Sequence, residues 1–289
     1  MPVVLATRRS PLARAQTDLV AAELRAAGHA VELLELTTSG DRASASGGRP
    51  DDKGLFVKEL ELALLDGTAD LAVHSAKDLP AELPDGLAIV AVPPRADPRD
   101  ALVGATSLAD LPPRARVGTG SPRRAIQLRM ARPDIETVEV RGNVDTRLRR
   151  LDEGAVDALV LAAAGLARLG VERDDVSPLP PELSTPAPGQ GFLAIEGRAG
   201  DADLESVAAV LDDPSAHACL RAERTTLAVL GGECRAPIGA LCEHGPGGLT
   251  MIGFRSDEHG EGAVRVRAAG RDAPAVLGRR LADALLAAA

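Results

Sequence analysis

Two short stretches combine a helix-opening Ser-Pro pair with arginine. ATRRSPLARAQ starts at Ala6 and VGTGSPRRAIQ at Val117. A helix N-terminus offers unbonded N–H groups and the positive end of the helix dipole, which suits an anion. Arg8 and Arg9 precede the first helix start, and Arg123 and Arg124 lie just inside the second. Arginine at that end opposes the dipole, and a bound anion would offset the cost. One such start is more simply an ordinary capped helix with solvated arginines. Two in one chain bring the anion reading level with that plain one.

The arginines between Arg114 and Arg150 strengthen it. Ten of them face four acids, a surplus of six positive charges inside a chain of net charge −9. Guanidinium groups hold carboxylate or phosphate through paired hydrogen bonds. Arg141 closes the expected strand in TVEVRGN, the strand end where α/β sheets bind ligands, and Arg147 lies about one helical turn on. About half of the ten, Arg149 and Arg150 among them, are expected only to solvate a helix face. HSAKDLP (residues 74–80) follows another strand. Asp78 beside Lys77 is expected to stay ionised, where it could stabilise a developing cation or move a proton. Each residue also has a plainer reading: Asp78 as a turn acid before Leu-Pro, His74 as a hydrogen-bonded structural residue. Ser75 lacks a nucleophile-elbow pattern. Cys234, in LGGECRAPIG, sits beside Arg235 after two glycines, a setting that favours a reactive thiolate. Cys219 in a helical run and Cys242 in a strand read as core residues, and Cys234, Cys242 and His244 do not make zinc-site spacing.

These residues need a frame of alternating strands and helices. Strands are expected near 3–7, 31–38, 69–75, 87–93, 116–120, 137–143, 157–163 and 192–196, with helices from Ser10-Pro11, near 57–66, from Ser121-Pro122, near 145–152, 201–212 and 214–230. Such alternation implies a parallel-type sheet in each half. Residues 39–52, rich in Gly, Ser and Asp, read as a mobile loop or lid, and 177–191 as a Pro/Gly-rich crossover. Strands near 236–242, 249–255 and 263–268 before a last helix form a small α+β piece. The fold class is α/β: two α/β domains flanking a cleft, plus a C-terminal α+β domain. The expected bounds are 1–95 with about 190–212, then 96–189, then 213–289.

Composition limits what such a molecule does. Its 289 residues are 45% hydrophobic and 26% charged, which excludes wholesale disorder. The acidic balance argues against a general nucleic-acid or membrane-surface binder, and three Phe with no Tyr or Trp argue against base-stacking platforms. Three cysteines make no disulfide framework, and with neither a signal-type start nor a long apolar run the expected location is the cytoplasm. Only three of the 33 basic residues are lysine (Lys53, Lys58 and Lys77), all within 25 residues.

In order along the chain, ATRRSPLA, KGLFVKELE, HSAKDLP, SPRR, RGNVDTRL, PAPGQGFLAIE and GGECRAPIG together resemble the porphobilinogen deaminase (hydroxymethylbilane synthase) family, from Ala6 to about Gly239. That resemblance implies an enzyme joining four porphobilinogen units head to tail, with loss of ammonia each time, to give hydroxymethylbilane. It implies a dipyrromethane cofactor attached through Cys234, two lobes like those of periplasmic binding proteins, and a monomer. It implies Asp78 as the catalytic acid, with Lys77 beside it. Ser75, Lys53, Arg123 and Arg124 match cofactor positions. Arg8, Ser10, Phe56, Arg141, Arg147, Arg168 and Gln190 match substrate positions. Each pyrrole brings two carboxylates, which gives the arginine island a purpose. A carboxylate near the azafulvene formed on deamination would stabilise it. The lid departs from the family pattern, with Arg49 the one candidate for a basic residue ahead of Lys53. The alternative is a two-lobed anion-binding module without catalysis, which leaves Cys234 without a role.

Overall fold

The computed structural model describes residues 1–45, 53–231 and 237–288, with the side chains of 43–45, 53 and 54 left aside. In chain order the elements are β1 (Val3–Arg8), α1 (Pro11–Ala26), β2 (Val31–Leu36), α2 (Ser39–Ala45), α3 (Lys58–Leu65), β3 (Leu71–Ser75), β4 (Leu87–Ala91), β5 (Asp100–Val103), β6 (Arg116–Gly118), α4 (Pro122–Ala131), β7 (Glu136–Val138), α5 (Val144–Asp152), β8 (Ala158–Ala162), α6 (Ala163–Arg168), β9 (Val176–Pro178), β10 (Leu193–Arg198), α7 (Ala202–Ala208), α8 (Pro214–Val229), β11 (Gly239–Gly245), β12 (Gly248–Arg255), β13 (Val264–Gly270) and α9 (Pro274–Ala287). Single 3-10 turns lie at Lys53–Phe56, Ala76–Asp78 and Ala209–Leu211. Contacts group the chain into two compact units, Met1–Ala96 with Phe192–Leu220, and Asp97–Gly191 with Arg221–Ala289.

The first unit is built on a five-stranded sheet ordered β2-β1-β3-β10-β4. β1 runs parallel to β2 and β3, whereas β10 is antiparallel to both β3 and β4. Val20, Ala21 and Leu24 of α1 pack with Leu5, Leu71, Val73 and Ile195 on one face, and Leu60, Ala63 and Leu64 of α3 with Ala6 and Ala72 on the other. The second unit has the sheet β7-β6-β8-β5-β9, with β6 parallel to β7 and β8, and β5 antiparallel to β8 and β9. The two sheets therefore share one plan. The strand before each Ser-Pro helix lies second, and an antiparallel strand lies fourth. That fourth strand is the first to form after the chain enters its unit, β5 just past Ala96 and β10 just past Gly191. The expectation of parallel-type sheets is corrected on this point: both sheets are mixed.

Three other expectations change. Residues 39–45 form α2 rather than open loop. Thr38 Oγ1 bonds the Asp41 backbone N–H at 3.1 Å, and the Glu59 carboxylate takes both the Ser39 N–H at 2.8 Å and its hydroxyl at 2.5 Å. Polar anchors thus hold a helix that has no apolar stripe to reveal it. The rest of the expected lid, 46–52 with Arg49, lies outside the described residues. The strand expected to end in Arg141 stops at Val138, because Val140 turns in to pack over Gly118, where a Cβ would stand 2.8 Å from its Cγ2. β5, α6 and β9 were not foreseen, being too short for periodicity to mark.

The C-terminal three-stranded antiparallel sheet, β11-β12-β13, carries α9 on one face. This is the expected small C-terminal piece, and by contacts it groups with the second unit. Arg265 of β13 bonds Gln127 Oε1 at 2.8 Å and Thr185 Oγ1 at 3.0 Å. The buried Glu223 carboxylate of α8 takes the N–H of Gly189 in the crossover and of Cys242 in β11, each at 2.7 Å.

Candidate active site in two arginine-bearing units

In the first unit the reactive motifs collect at the C-terminal ends of β1 and β3. Ser10 caps α1, its hydroxyl accepting the Ala13 N–H at 3.3 Å, with Pro11 in the first turn as the sequence implied. Arg8, the last residue of β1, is half-buried. Its guanidinium lies 4.4 Å over the Phe56 ring and donates to Asp41 from Nη2 at 2.5 Å and Nε at 3.3 Å. Phe56 is packed from the other element too: a Cβ on Gly40 would stand 2.5 Å from its ring, so only glycine fits there. Burial works to raise the Asp41 carboxyl, but the hydrogen bonds and charge of Arg8, with Thr38, hold it below the usual carboxylate range.

β3 ends at Ser75, and Lys77 and Asp78 follow in the 3-10 turn, all three half-buried. Ser75 Oγ is 2.8 Å from Gln16 Nε2 of α1. Motif reading missed Gln16, which holds the Ser75 side chain. The signal was available: both Ser-Pro helices carry a glutamine six positions after the serine, Gln16 and Gln127. Behind Ser75, His74 Nε2 lies 2.9 Å from Glu196 Oε2 of β10, an ion-pair distance without hydrogen-bond geometry. His74 and Glu196 are buried, together with Glu61 of α3. Burial, then the Glu196 charge, pushes the Glu61 carboxyl up to about 6, with His74 opposing.

In the second unit Arg123 and Arg124 are buried rather than splayed into solvent. Ser121 caps α4 by accepting the Arg124 N–H at 3.4 Å. Both guanidiniums converge on Asp100: Arg123 Nη1 at 2.8 Å to Oδ2, Arg124 Nε at 2.8 Å and Nη2 at 2.7 Å to Oδ1. Gln190 joins them, donating to Asp100 Oδ1 at 2.9 Å and accepting from Arg124 Nη2 at 3.2 Å. Two guanidiniums against one carboxylate leave a surplus of one buried positive charge. Arg168, at the end of α6, donates to the Gly191 carbonyl at 2.7 Å, and burial brings it down to about 10, still a cation at neutral pH. Arg147 bonds the Gly142 carbonyl at 2.8 Å. Arg141 is exposed and meets Glu139 at 2.5 Å. Arg149 and Arg150 are exposed on α5. Arg116 and Arg132 are taken up by Asp157 and Asp134. Cys234 lies outside the described residues, as do Arg235 and the Lys53 side chain. Cys219 and Cys242 are buried. Among the described residues no group of His, Cys, Asp and Glu could hold a metal ion.

Two family models match this chain. One, described as "Porphobilinogen deaminase, dipyromethane cofactor binding domain", covers residues 3–206, and "Porphobilinogen deaminase, C-terminal domain" covers 217–287. The chain belongs to the porphobilinogen deaminase family. Curated porphobilinogen deaminases agree along the whole length. That of Roseiflexus castenholzii is 48% identical over 98% of this chain and 95% of its own. That of Acidothermus cellulolyticus is 50% identical over 98% of this chain and 88% of its own. Among solved structures, a nutrient binding protein from Burkholderia cenocepacia bound to methionine has a TM-score of 0.45 at 13% identity, over 78% of this chain and 94% of its own.

The family's dipyrromethane cofactor can be set against the side chains present. A group bearing several carboxylates needs fixed guanidiniums carrying more positive charge than their own counter-ions cancel. The Arg123–Arg124–Asp100 cluster has that surplus, and the half-buried Arg168 adds a further cation. The donor set fits. Asp78, in the 3-10 turn after β3, is the acid of the HSAKDLP motif in the first unit.

Proposed function

We propose a division of labour among the side chains of an enzyme that joins four porphobilinogen molecules head to tail, releases ammonia each time, and builds hydroxymethylbilane on a dipyrromethane primer. The membership of the whole chain in the family carries the activity, and the non-catalytic anion-binding alternative is set aside. The primer, when bound through Cys234, supplies the pyrrole carbon to which the next unit is joined.

Asp78 holds the positive charge that develops on pyrrole nitrogen as ammonia leaves the aminomethyl carbon, and accepts or returns the proton on its carboxylate. Lys77 beside it places a positive charge in the same turn. Ser75, fixed by Gln16, borders the same turn, and Lys53 helps to hold the primer. Arg123 and Arg124, with their buried surplus charge, take carboxylates of the primer. Arg8 with Phe56 and Ser10, and Arg141, Arg147, Arg168 and Gln190 take or orient carboxylates of the incoming unit. Arg8 is held by Asp41 in this structure, so a substrate carboxylate must displace Asp41 to reach it. As a biosynthetic enzyme working on one small molecule, the protein is assigned to the cytoplasm as a monomer, with no nucleic-acid or membrane partner. Among the described residues no helix is long and apolar enough to cross a membrane.

Two measurements test this. Protein purified from a porphobilinogen-producing host is expected to exceed the chain mass by two linked pyrroles, and Cys234→Ser to show the bare mass. A bare mass for folded unmutated protein would end the assignment of Cys234. Asp78→Asn is expected to bind porphobilinogen but turn over about 100-fold slower or worse, the lower range for losing an acid–base group. Near-normal turnover would take the proton-handling role from Asp78.

A further inference from the structure

Asp100 opens β5 opposite Ala162, on the last rung of β8, and is wholly buried. Six donor contacts converge on its two oxygens. Oδ1 accepts from Arg124 Nε (2.8 Å), Gln190 Nε2 (2.9 Å) and Arg123 Nη2 (3.3 Å), with Arg124 Nη2 at an ion-pair distance of 2.7 Å. Oδ2 accepts from Arg123 Nη1 (2.8 Å) and Ser184 Oγ (2.7 Å). The outer edges of the guanidiniums are also fixed, Arg123 Nη1 on the Thr185 carbonyl at 2.5 Å and Arg124 Nη1 on the Val160 carbonyl at 3.1 Å. Burial works against the Asp100 charge, but the two arginines hold its carboxyl far below the usual range.

Stability does not account for such a cluster. A buried ion pair roughly breaks even against well-packed apolar residues, and a surplus buried cation is worse than even. What the cluster does achieve is orientation. Each guanidinium is held from two sides, with every fixing partner on β5, β8 or the crossover, and the single carboxylate leaves one positive charge uncancelled.

We propose that Asp100 is the positioning residue of the carboxylate-binding site in the second unit. It aims the Arg123 and Arg124 guanidiniums and sets their net charge at one, so that an arriving carboxylate finds donors already in place. Preorganised donors pay no reorganisation cost at binding. This rests on the reading that Arg123 and Arg124 receive primer carboxylates.

The test uses the full chain made without its primer in a host lacking porphobilinogen, then loaded with porphobilinogen and followed by intact mass. Asp100→Glu keeps the charge but moves it by a methylene. Ser184→Ala keeps both charge and position while removing one of the two donors to Oδ2. Misplacement by about 1 Å costs up to about 100-fold in a preorganised site. Asp100→Glu, folded by circular dichroism, is expected to load about 10-fold slower or worse, and its loaded fraction to show a KM raised about as much with kcat within about twofold. Ser184→Ala is expected to shift loading and KM the same way by about 2–5-fold. A role limited to charge balance would lower the melting temperature and leave loading and KM unchanged, and that result overturns the proposal. If Asp100→Glu does not fold, Ser184→Ala decides: normal loading and KM there overturn it. Arg124→Gln separates the two layers. Normal loading in Arg124→Gln removes the underlying reading of the arginines. Slow loading in Arg124→Gln with normal loading in both other variants overturns the role of Asp100 alone.

Discussion

Each five-stranded sheet carries one wholly buried carboxylate on its fourth strand, Asp100 on β5 and Glu196 on β10. The surroundings of the two could hardly differ more. Asp100 sits at the strand end, opposite the last residue of β8, where the arginines of the Ser-Pro helix reach it. Glu196 sits deeper, opposite Ala72 near the start of β3, and its oxygens accept no hydrogen bond. Its neighbours are His74 and a second acid, Glu61. One cluster is cationic and fully bonded. The other is a partly satisfied trio of two acids and a histidine. Topologically matched strands thus carry opposite electrostatic solutions. The cationic one lies in the unit that holds the arginine island, and the partly satisfied one behind the turn that holds Asp78.

The sharpest way to break this comparison is to remove each charge in turn. Asp100→Asn leaves two buried guanidiniums facing each other, and arginine has no neutral form to retreat to. A loss of about 3–5 kcal/mol in unfolding free energy is expected, measured by chemical denaturation. Glu196→Gln leaves an imidazole, which has a neutral form within reach of neutral pH. It also relieves Glu61 of a like charge. A change of less than about 1 kcal/mol is expected, since no hydrogen bond to a charged partner is lost. Equal losses at the two positions would mean that the His74–Glu196 contact is a true ion pair and that the contrast is false.

The sequence made the frame readable wherever periodicity and punctuation coincide. Ser10-Pro11 and Ser121-Pro122 start α1 and α4, and Gly28 and Gly67, both at positive φ, close α1 and α3. The site was legible where it is carried by local motifs, as in HSAKDLP and SPRR. It was not legible where it depends on pairing across long separations. Asp100 lies 23 residues from Arg123 and 90 from Gln190, and nothing in DPRDALVG marks that acid as their partner. Nor does the charge surplus of the arginine island distinguish Arg123 and Arg124, which are buried, from Arg149 and Arg150, which are solvated. Burial is decided by which face of α4 or α5 meets the sheet. α2 was missed for the related reason that polar bonds to Glu59 and Arg8, rather than an apolar stripe, hold it.

Glu61 gives the subtler test of the same comparison. Its carboxyl is pushed up to about 6 from an ordinary 4.5 by burial and by the Glu196 charge, against the pull of His74. A carboxyl that binds its proton more tightly when folded adds stability while that proton is bound. The contribution is full below about pH 4.5 and is lost as pH rises through about 6. In Glu61→Gln the neutral side chain removes that dependence. The variant is expected to be more stable than the parent by about 1–2 kcal/mol at pH 7.5 and indistinguishable from it at pH 4.5. Denaturation midpoints of both proteins across pH 4.5–7.5 check this. If the two curves run parallel, the proton is not held at Glu61. The two acids of the first unit would then be as permanently charged as the Asp100 cluster of the second.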